Sequence, residues 1–281
     1  MIFILVKFGE AVCMNKFTVI AKNKETYFIK RLTEEVGEDS ICILDPWQSQ
    51  EEAFPVGAIL VRTTGVYGGN ADLDFLETRC RRKEIINPLE ALSIFRSKLS
   101  QYELFGRIGI PQVPWLDLRQ TDVSVIMSFI QNFPVPRYII KPHRGQGGWG
   151  IKAMTPRQIY DWYESSSDRE YILQPCIEGA REFRFFFIGD KLAWTIERFK
   201  ARGEVAANFQ LEGEARRVDT DPRFEGIIRQ IRSTTPVHYG ALDILVIENE
   251  IFVLELNVVP GIQQMEKVLG INVMRCLLES F

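Results

Sequence analysis

Histidine is scarce in this sequence: His143 and His238 are the only two in 281 residues. His143 adjoins a glycine-rich stretch that better explains its neighbourhood, so a Ser-His-Asp hydrolase has little to stand on. Cysteine is sparse and badly spaced for metal or cross-links. The five, at 13, 42, 80, 176 and 276, are odd in number and form no CxxC pair, and Cys42 and Cys176 sit inside apolar runs. They read as free thiols of a reducing cytoplasm, not as a disulfide framework or a zinc site. Positive charge is not in excess either. Lys and Arg number 34 against 37 Asp and Glu, a net −3, which gives no overall basic field for nucleic acid. The short run Arg79-Cys80-Arg81-Arg82-Lys83, offset by Glu77 and Glu84, reads as a solvated helix face. No apolar run approaches the ~18 residues of a membrane span. Met1-Ile-Phe-Ile-Leu-Val6 is too short for a secretory core and lacks a basic flank. Met14-Asn-Lys-Phe-Thr-Val-Ile20 reads as a natural start leading into a strand, so residues 1–13 are expected to be an upstream extension.

What remains is an ordinary globular composition, 46% apolar and 25% charged, in a chain long enough for about two domains. Strand-like and helix-like segments alternate from Phe17 to Ile86, through Glu25–Val36, Ile41–Leu44, Ala58–Arg62, the glycine-rich Gly65–Gly69 and Ala71–Lys83. That alternation predicts a parallel α/β sheet. The texture then changes. Asn87-Pro88-Leu89-Glu90 has cap, N1 proline and acid in helix-starting order. Ser97-Lys98 opens another helix, with Leu99, Tyr102, Phe105 and Ile108 at helical spacing and Gly109 as its stop. Helices at 121–133 and 156–165 and strands at 137–141 and 171–174 follow. Longer strands come next, with Gly189-Asp190 as a two-residue hairpin turn.

Two features carry chemistry. The first is a hairpin of apolar strands, Gly240–Ile247 and Ile251–Asn257, around Glu248-Asn249-Glu250. Centred on Asn249, it sets Asp243 directly across from Glu255, and Asn257 shares that face. Carboxylates in an apolar wall are costly unless paired, protonated or bound to metal. Oxygen-only donors suit Mg²⁺ or Mn²⁺, although a solvated strand face would show a similar pattern. The second is Lys141-Pro-His-Arg-Gly145-Gln-Gly147-Gly148-Trp-Gly150-Ile-Lys152. Glycine loops let backbone N–H groups approach phosphate oxygens, and Lys141 could add a cation. No Gly-Lys-Ser/Thr follows, so this is not a Walker loop; an ordinary hairpin loop is the alternative.

The order of these pieces resembles the ATP-grasp superfamily and, within it, the RimK-like carboxylate–amine ligases, from about Phe17 to Asn272. Its specific part is Asp243, Glu255-Leu-Asn257, Pro260-Gly261, Met265-Glu266-Lys267 and Gly270-Ile271. The resemblance implies an N-terminal parallel α/β pre-grasp domain (1–87) and two α+β lobes holding ATP between them (a lid subdomain, 88–172, and a C-terminal subdomain, 173–281). It implies that Asp243, Glu255 and Asn257 hold one or two Mg²⁺ (or Mn²⁺) ions against ATP. Lys98 and Lys141 become phosphate-binding lysines, and Gly145, Gln146, Gly147 and Gly148 part of a flexible lid. Gln174, Pro175 and Ile177 fall on the adenine link. Glu182, with Glu178 a weaker candidate, matches the ribose acid. Arg184, the Glu197-Arg198 pair and Asn208 match positions near the γ-phosphate and acyl group, with Arg198 and Asn208 aimed at the tetrahedral oxyanion. Two departures touch the acceptor pocket: Ala206 stands where relatives carry a basic residue, and Gln210-Leu-Glu-Gly213 replaces a basic stretch. Trp149 is bulkier than the usual lid residue.

The implied chemistry is amide formation by way of an acyl phosphate, with small-molecule or peptide carboxylate and amine substrates and no part for nucleic acid or membrane. Relatives commonly form homo-oligomers; the sequence itself is silent on assembly. A kinase using the same grasp, or a nucleotide-binding protein that has lost catalysis, would share most of these features. Arg62, ending a strand of the first domain, is a further candidate for a substrate carboxylate.

Overall fold

The computed structural model describes residues 17–48, 55, 57–63, 70–81, 83–145, 147–190, 192–199 and 214–280. Residues 1–13, the 65–69 turn, Gln146, Ala206, Asn208 and the 210–213 stretch lie outside the described residues. The chain divides into two compact units, Met1–Thr63 with Asn70–Ile86, and Thr64–Gly69 with Asn87–Phe281.

In the first unit, β1 (Phe17–Ile20), α1 (Tyr27–Val36), β2 (Ile41–Leu44), β3 (Ala58–Val61), α2 (Ala71–Arg79) and β4 (Ile85–Ile86) alternate along the chain. The strands form a sheet in the order β2-β1-β3-β4, and every pairing is parallel. Strand sequences such as Ala-Ile-Leu-Val read as continuous apolar runs because parallel sheets are covered on both faces. Val19, Ile20, Leu32, Ile59, Leu60 and Leu76 are buried there. Thr26 caps α1 by accepting from the Ile29 N–H, and Gly37 ends it at φ 83°, where a Cβ would be strained.

The second unit begins with α3 (Leu89–Phe95), α4 (Lys98–Arg107), β5 (Leu116–Asp117), α5 (Val123–Asn132), β6 (Tyr138–Pro142), β7 (Lys152–Met154), α6 (Pro156–Ser165) and β8 (Tyr171–Pro175). Its first sheet has the order β5-β8-β6-β7 and is antiparallel. Leu118, Ile126, Phe129, Ile130, Tyr138, Ile140, Ile159 and Leu173 join α5, α6 and the strands in one core. Thr155 and Gln158 make a reciprocal capping box at the start of α6, so two orphan N–H donors are satisfied at once.

The rest is β9 (Arg181–Ile188), β10 (Leu192–Arg198), β11 (Ala215–Val218), α7 (Pro222–Arg232), β12 (Tyr239–Ile247), β13 (Glu250–Asn257), α8 (Gln263–Leu269) and α9 (Val273–Leu278). These strands form an antiparallel sheet ordered β11-β10-β9-β12-β13. Phe183, Phe185 and Phe187 alternate along β9 and so share one face. Phe224 of α7 packs on that face, its ring 5.8 Å from Phe183 and 6.2 Å from Phe185.

Three local readings are corrected. Asn87 does not cap a helix. Its backbone is left-handed, φ 61°, and Pro88 occupies the cap position of α3. The Asn87 side chain instead donates to the carbonyls of Tyr239 and Val258 and accepts from the N–H of His238 and Tyr239, tying the start of β12 to the end of β13. The β9–β10 connection is one residue longer than expected: Ile188 pairs with Leu192 and Glu182 with Arg198. A shift of one residue flips every side chain of β10 to the other face, so Arg198, and not Glu197, shares the face of Glu182 and Arg184. The last hairpin turns on Glu248 and Asn249, since Ile247 already pairs with Glu250, and Glu248 has φ 52°. That turn alone would set Asp243 opposite Leu254. A bulge between Asp243 and Ile244 shifts the register, and Asp243 faces Glu255 after all.

Candidate active site

The bulge is held from outside the sheet. On α4, residues 98, 101 and 102 fall on one helical face. The Tyr102 hydroxyl donates to the Leu254 carbonyl at 2.9 Å, and Gln101 Oε1 accepts from the Leu256 N–H at 2.8 Å. These two bonds satisfy the main chain on either side of Glu255 and fix its side chain. Lys98 Nζ then lies 3.3 Å from Glu255 Oε2. It also donates to the Gly145 carbonyl at 2.9 Å, while the Lys98 N–H donates to the His143 carbonyl at 2.8 Å. One lysine therefore ties the base of the glycine loop to the acid on β13.

Lys141, at the end of β6, reaches the same place. Its ammonium donates to the Tyr102 hydroxyl and lies 4.9 Å from the ring centroid. Burial, together with the neighbouring Lys98, lowers its pKa to about 7, with Glu255 opposing. Glu255 is displaced in the opposite sense. Burial works to raise its pKa, but Lys98, Lys141 and the Asn257 amide outweigh it and hold the carboxyl at about 2. Asn257 Nδ2 donates to Glu255 Oε1 at 2.9 Å.

The remaining charges run across the sheet in register. Asp243 pairs with Arg184, Arg184 with Ile196, and Glu182 with Arg198, so Glu182, Arg184, Arg198, Asp243 and Glu255 share one face. Arg184 grips Asp243 with two bonds of 2.7 Å. Arg198 donates to Glu182 and, at 3.3 Å, to Asp243. Burial and the adjacent Arg184 lower the pKa of Arg198; Asp243 overcomes burial to raise that of Arg184. Among the described residues no group of three or more Asp, Glu, His or Cys side chains is arranged to hold a metal ion by itself. The oxygen donors brought together are two carboxylates and an amide; Asp243 is balanced by the Arg184 guanidinium and Glu255 by the Lys98 ammonium and the Asn257 N–H. Such a hard donor set fits Mg²⁺ or Mn²⁺, which takes one or two carboxylates beside substrate phosphates.

Other expected site residues are dispersed. Gln174 is buried on β8, where its Nε2 donates to the Val113 carbonyl at 3.3 Å and its Oε1 lies 3.5 Å from the Tyr102 hydroxyl. Pro175 pairs with Tyr138 at the strand end, and Ile177 follows in the link to β9. Glu178 is exposed and pairs with Arg137 at 2.9 Å, apart from the charged cluster. Glu197 lies on the opposite face from Arg198, bound by Arg181 and Arg216. Gly147, Gly148 and Gly150 all have positive φ, and Trp149 between them is 72% exposed. A Cβ at Gly145 or Gly150 would come within 3.1 or 3.2 Å of the Pro142 ring. In the first unit, Arg62 lies 4.0 Å from the Phe28 ring centroid. His143 is pinned by Asp117, Glu170 and the Tyr171 carbonyl, a structural role. The four cysteines among the described residues are free, and no described helix is long and apolar enough to cross a membrane.

Gln101, Tyr102 and Asn87 escaped the sequence reading. The i, i+3, i+4 relation to Lys98 was the available signal for the first two, but Tyr102 sits equally well in the apolar stripe of its helix.

Two lobes, a glycine loop on one and a charged strand face on the other, define an ATP-grasp fold. A solved D-alanine–D-alanine ligase from Bacillus anthracis, complexed with ATP, superposes with a TM-score of 0.70 at 16% identity, covering 94% of this chain and 96% of that one. The ATP-grasp ligase PsnB, solved with a precursor variant, Mg and ADP, gives 0.68 at 16% identity over 95% and 99%. At such identities these establish the fold. The model of the RimK-like ATP-grasp domain matches residues 96–281, and the chain belongs to that family. A "Probable alpha-L-glutamate ligase" of Legionella pneumophila (strain Corby) is 27% identical over 222 residues, 76% of this chain and 71% of that protein.

Proposed function

We propose that this protein joins a carboxylate to an amine at the expense of ATP, with Mg²⁺, forming an amide through an acyl phosphate. The observation that carries the reading is the row Arg184–Asp243–Glu255 on one sheet face, buried at Asp243 and half-buried at its two ends, with the buried Lys98 and Lys141 beside it. Four cations and three carboxylates on so small a surface are costly in a protein that binds nothing there. A nucleoside triphosphate and a divalent ion would exchange partners with them. The phosphates would take Lys98 and Lys141, and Asp243, Glu255 and Asn257 would hold the metal, which supplies charge neutralisation and in-line alignment of the phosphoryl oxygens.

The chain's own part is positioning and electrostatics. A substrate carboxylate oxygen attacks the γ-phosphorus and ADP leaves. The amine nitrogen then attacks the acyl carbon, phosphate leaves with its electron pair, and the nitrogen loses a proton. Arg184 and Arg198 stand beside the acids and can compensate charge on the transferring group. The glycine loop excludes water, which would hydrolyse the acyl phosphate. The Lys98–Gly145 bond couples that loop to the phosphate-binding end. Asn208 is assigned to the oxyanion, Gln174, Pro175 and Ile177 to the adenine edge, and Glu182 to the ribose. Ligands named for relatives support this choice: glutamate for the Legionella protein, Mg and ADP for PsnB.

The test is an ADP-release screen over pairs of carboxylates and amines with MgATP, with product masses read directly. A mass equal to both substrates less water is expected. ADP formed without any amine, and a phosphorylated product, would favour a kinase; MgATP binding without turnover would favour a nucleotide-binding protein.

A further inference from the structure

Two side-chain amides clamp the main chain around Asn257, one of the three oxygen donors assigned to the metal. On one side, Gln101 Oε1 accepts from the Leu256 N–H at 2.8 Å. On the other, Asn87 Nδ2 donates to the Val258 carbonyl at 2.7 Å. Between them, the Asn257 side chain gives its own N–H to Glu255 Oε1 at 2.9 Å, which leaves its amide oxygen for a cation. Gln101 also steadies Glu255 from α4. Asn87 is fully buried and holds a left-handed backbone, φ 61°, a conformation that few residues other than Gly and Asn adopt cheaply.

The end of the hairpin shows what that side chain does. Pairing between β12 and β13 stops at Ala241 and Asn257, and Asn257 is the last residue of β13. Tyr239 lies two residues before Ala241, so its main-chain groups turn to the same side. There they meet the Asn87 carboxamide. Oδ1 accepts from the Tyr239 N–H at 3.2 Å, and Nδ2 donates to the Tyr239 carbonyl at 2.9 Å. The side chain thus imitates the peptide group of a continued β13, and its second N–H holds Val258, where the chain leaves the ladder. Oδ1 also accepts from the His238 N–H at 2.8 Å. The two strands approach closely at this point: a Cβ on Gly240 would come within 3.0 Å of the Asn257 carbonyl. A ligand on the last residue of a strand has no ladder bond beyond it to fix its backbone, and Asn87 supplies one. Loss of an outer group that orients a ligand lowers metal affinity by roughly 10–100-fold.

Resting on the metal assignment above, we propose that Asn87 is a positioning residue for the divalent cation. It acts through Asn257: by holding the Val258 carbonyl it aims the Asn257 amide oxygen at the site shared with Asp243 and Glu255. A knot that served the fold alone would leave metal affinity untouched.

The experiment reads the metal directly. Mn²⁺ is titrated into the full chain in the presence of ADP, and free Mn²⁺ is followed by electron paramagnetic resonance at a temperature where circular dichroism shows each variant folded. Asn87→Asp keeps the size and the acceptor oxygen but loses both N–H donors. It is expected to raise the Mn²⁺ dissociation constant by at least about tenfold, with metal-free ADP affinity unchanged. Asn87→Gly, which takes φ 61° without strain, gives a similar rise. In an Asn257→Ala background, where the ligand is already gone, either substitution changes the constant by less than about twofold, the mark of two residues acting as one. Phe185→Ala, on the opposite face of the sheet, keeps wild-type metal affinity. A lower Tm with wild-type Mn²⁺ affinity overturns the proposal, and so does an equal factor with and without Asn257. Failure of both Asn87 variants to fold overturns it too, because the side chain then serves the fold alone. A wild type that takes up no Mn²⁺ with ADP overturns the metal assignment itself, whereas a wild type and Asn87 variants that bind equally well overturn only this inference.

Discussion

The two faces of the β11-β10-β9-β12-β13 sheet are written by alternate residues of the same strands, and they could hardly differ more. Along β9, Phe183, Phe185 and Phe187 alternate with Glu182 and Arg184. The aromatic face is closed by α7 and buries its rings against Phe224. The charged face buries Glu182, Arg198 and Asp243 as thoroughly, but there the groups are held by ion pairs, Arg184 to Asp243 and Arg198 to Glu182. Apolar burial contributes stability in proportion to area, whereas buried ion pairs often give little net stability. One face is therefore a source of stability and the other a cost retained for chemistry. Substitutions on the two faces should separate stability from activity.

The largest effect is expected on the aromatic face. Phe185→Ala should lower the unfolding free energy by about 3–5 kcal/mol, seen in chemical denaturation, with turnover per folded molecule unchanged at low temperature. A specific fall in turnover would show that the faces are coupled. The next is on the charged face. Glu255→Ala should lower kcat/KM at least about a hundredfold, as loss of one phosphoryl-stabilising group does. Near-normal ADP release would remove Glu255 from the site. Lys141→Met should cause a similar loss of activity while raising Tm, because it deletes a buried ammonium. The sign follows from its pKa of about 7 in the folded protein, below the unfolded value near 10.4. Between these values the unfolded chain binds more protons, so wild-type stability rises with pH across the window. The variant should lack that slope, and an unchanged slope would place the titration elsewhere.

Smaller still is Tyr102→Phe, which removes the donor to Leu254 at the bulge and should cost about 1–3 kcal/mol. Here the limits of the sequence show. The apolar strands, the helix opening at Ser97 and the Asp243/Glu255 opposition were legible because they are local or follow a period of two. The opposition was reached with the wrong turn, however, since only the bulge that α4 holds restores it. The β9–β10 register was not legible, because a two- and a three-residue connection through Gly189-Asp190 read alike, and the choice decides whether Arg198 or Glu197 faces the site. Asn87 was misread because Asn-Pro before a helix looks like a cap. Its bonds to Tyr239 and Val258 span more than a hundred and fifty residues, and no local pattern announces them.

The smallest predicted effect sharpens the comparison most. Glu197 is a buried carboxylate on the aromatic face, bound by Arg181 at 2.6 Å and by Arg216. The Arg181 hydrogen bond, working against burial and aided by Arg216, lowers its pKa. Arg181 itself is largely exposed, so its share is screened by solvent and worth no more than about 1 kcal/mol. A carboxylate with a lowered folded pKa contributes stability above its unfolded pKa, near 4.3, and loses it as pH falls through the folded value. Arg181→Met should therefore destabilise by at most about 1 kcal/mol at neutral pH. The difference from wild type should shrink in acid, and kcat/KM should not change. Arg184, three residues along the same strand but on the other face, carries the same charge, and its removal should act on turnover instead. A large activity loss in Arg181→Met would mean that charge, and not the face it occupies, decides what an arginine on this strand does.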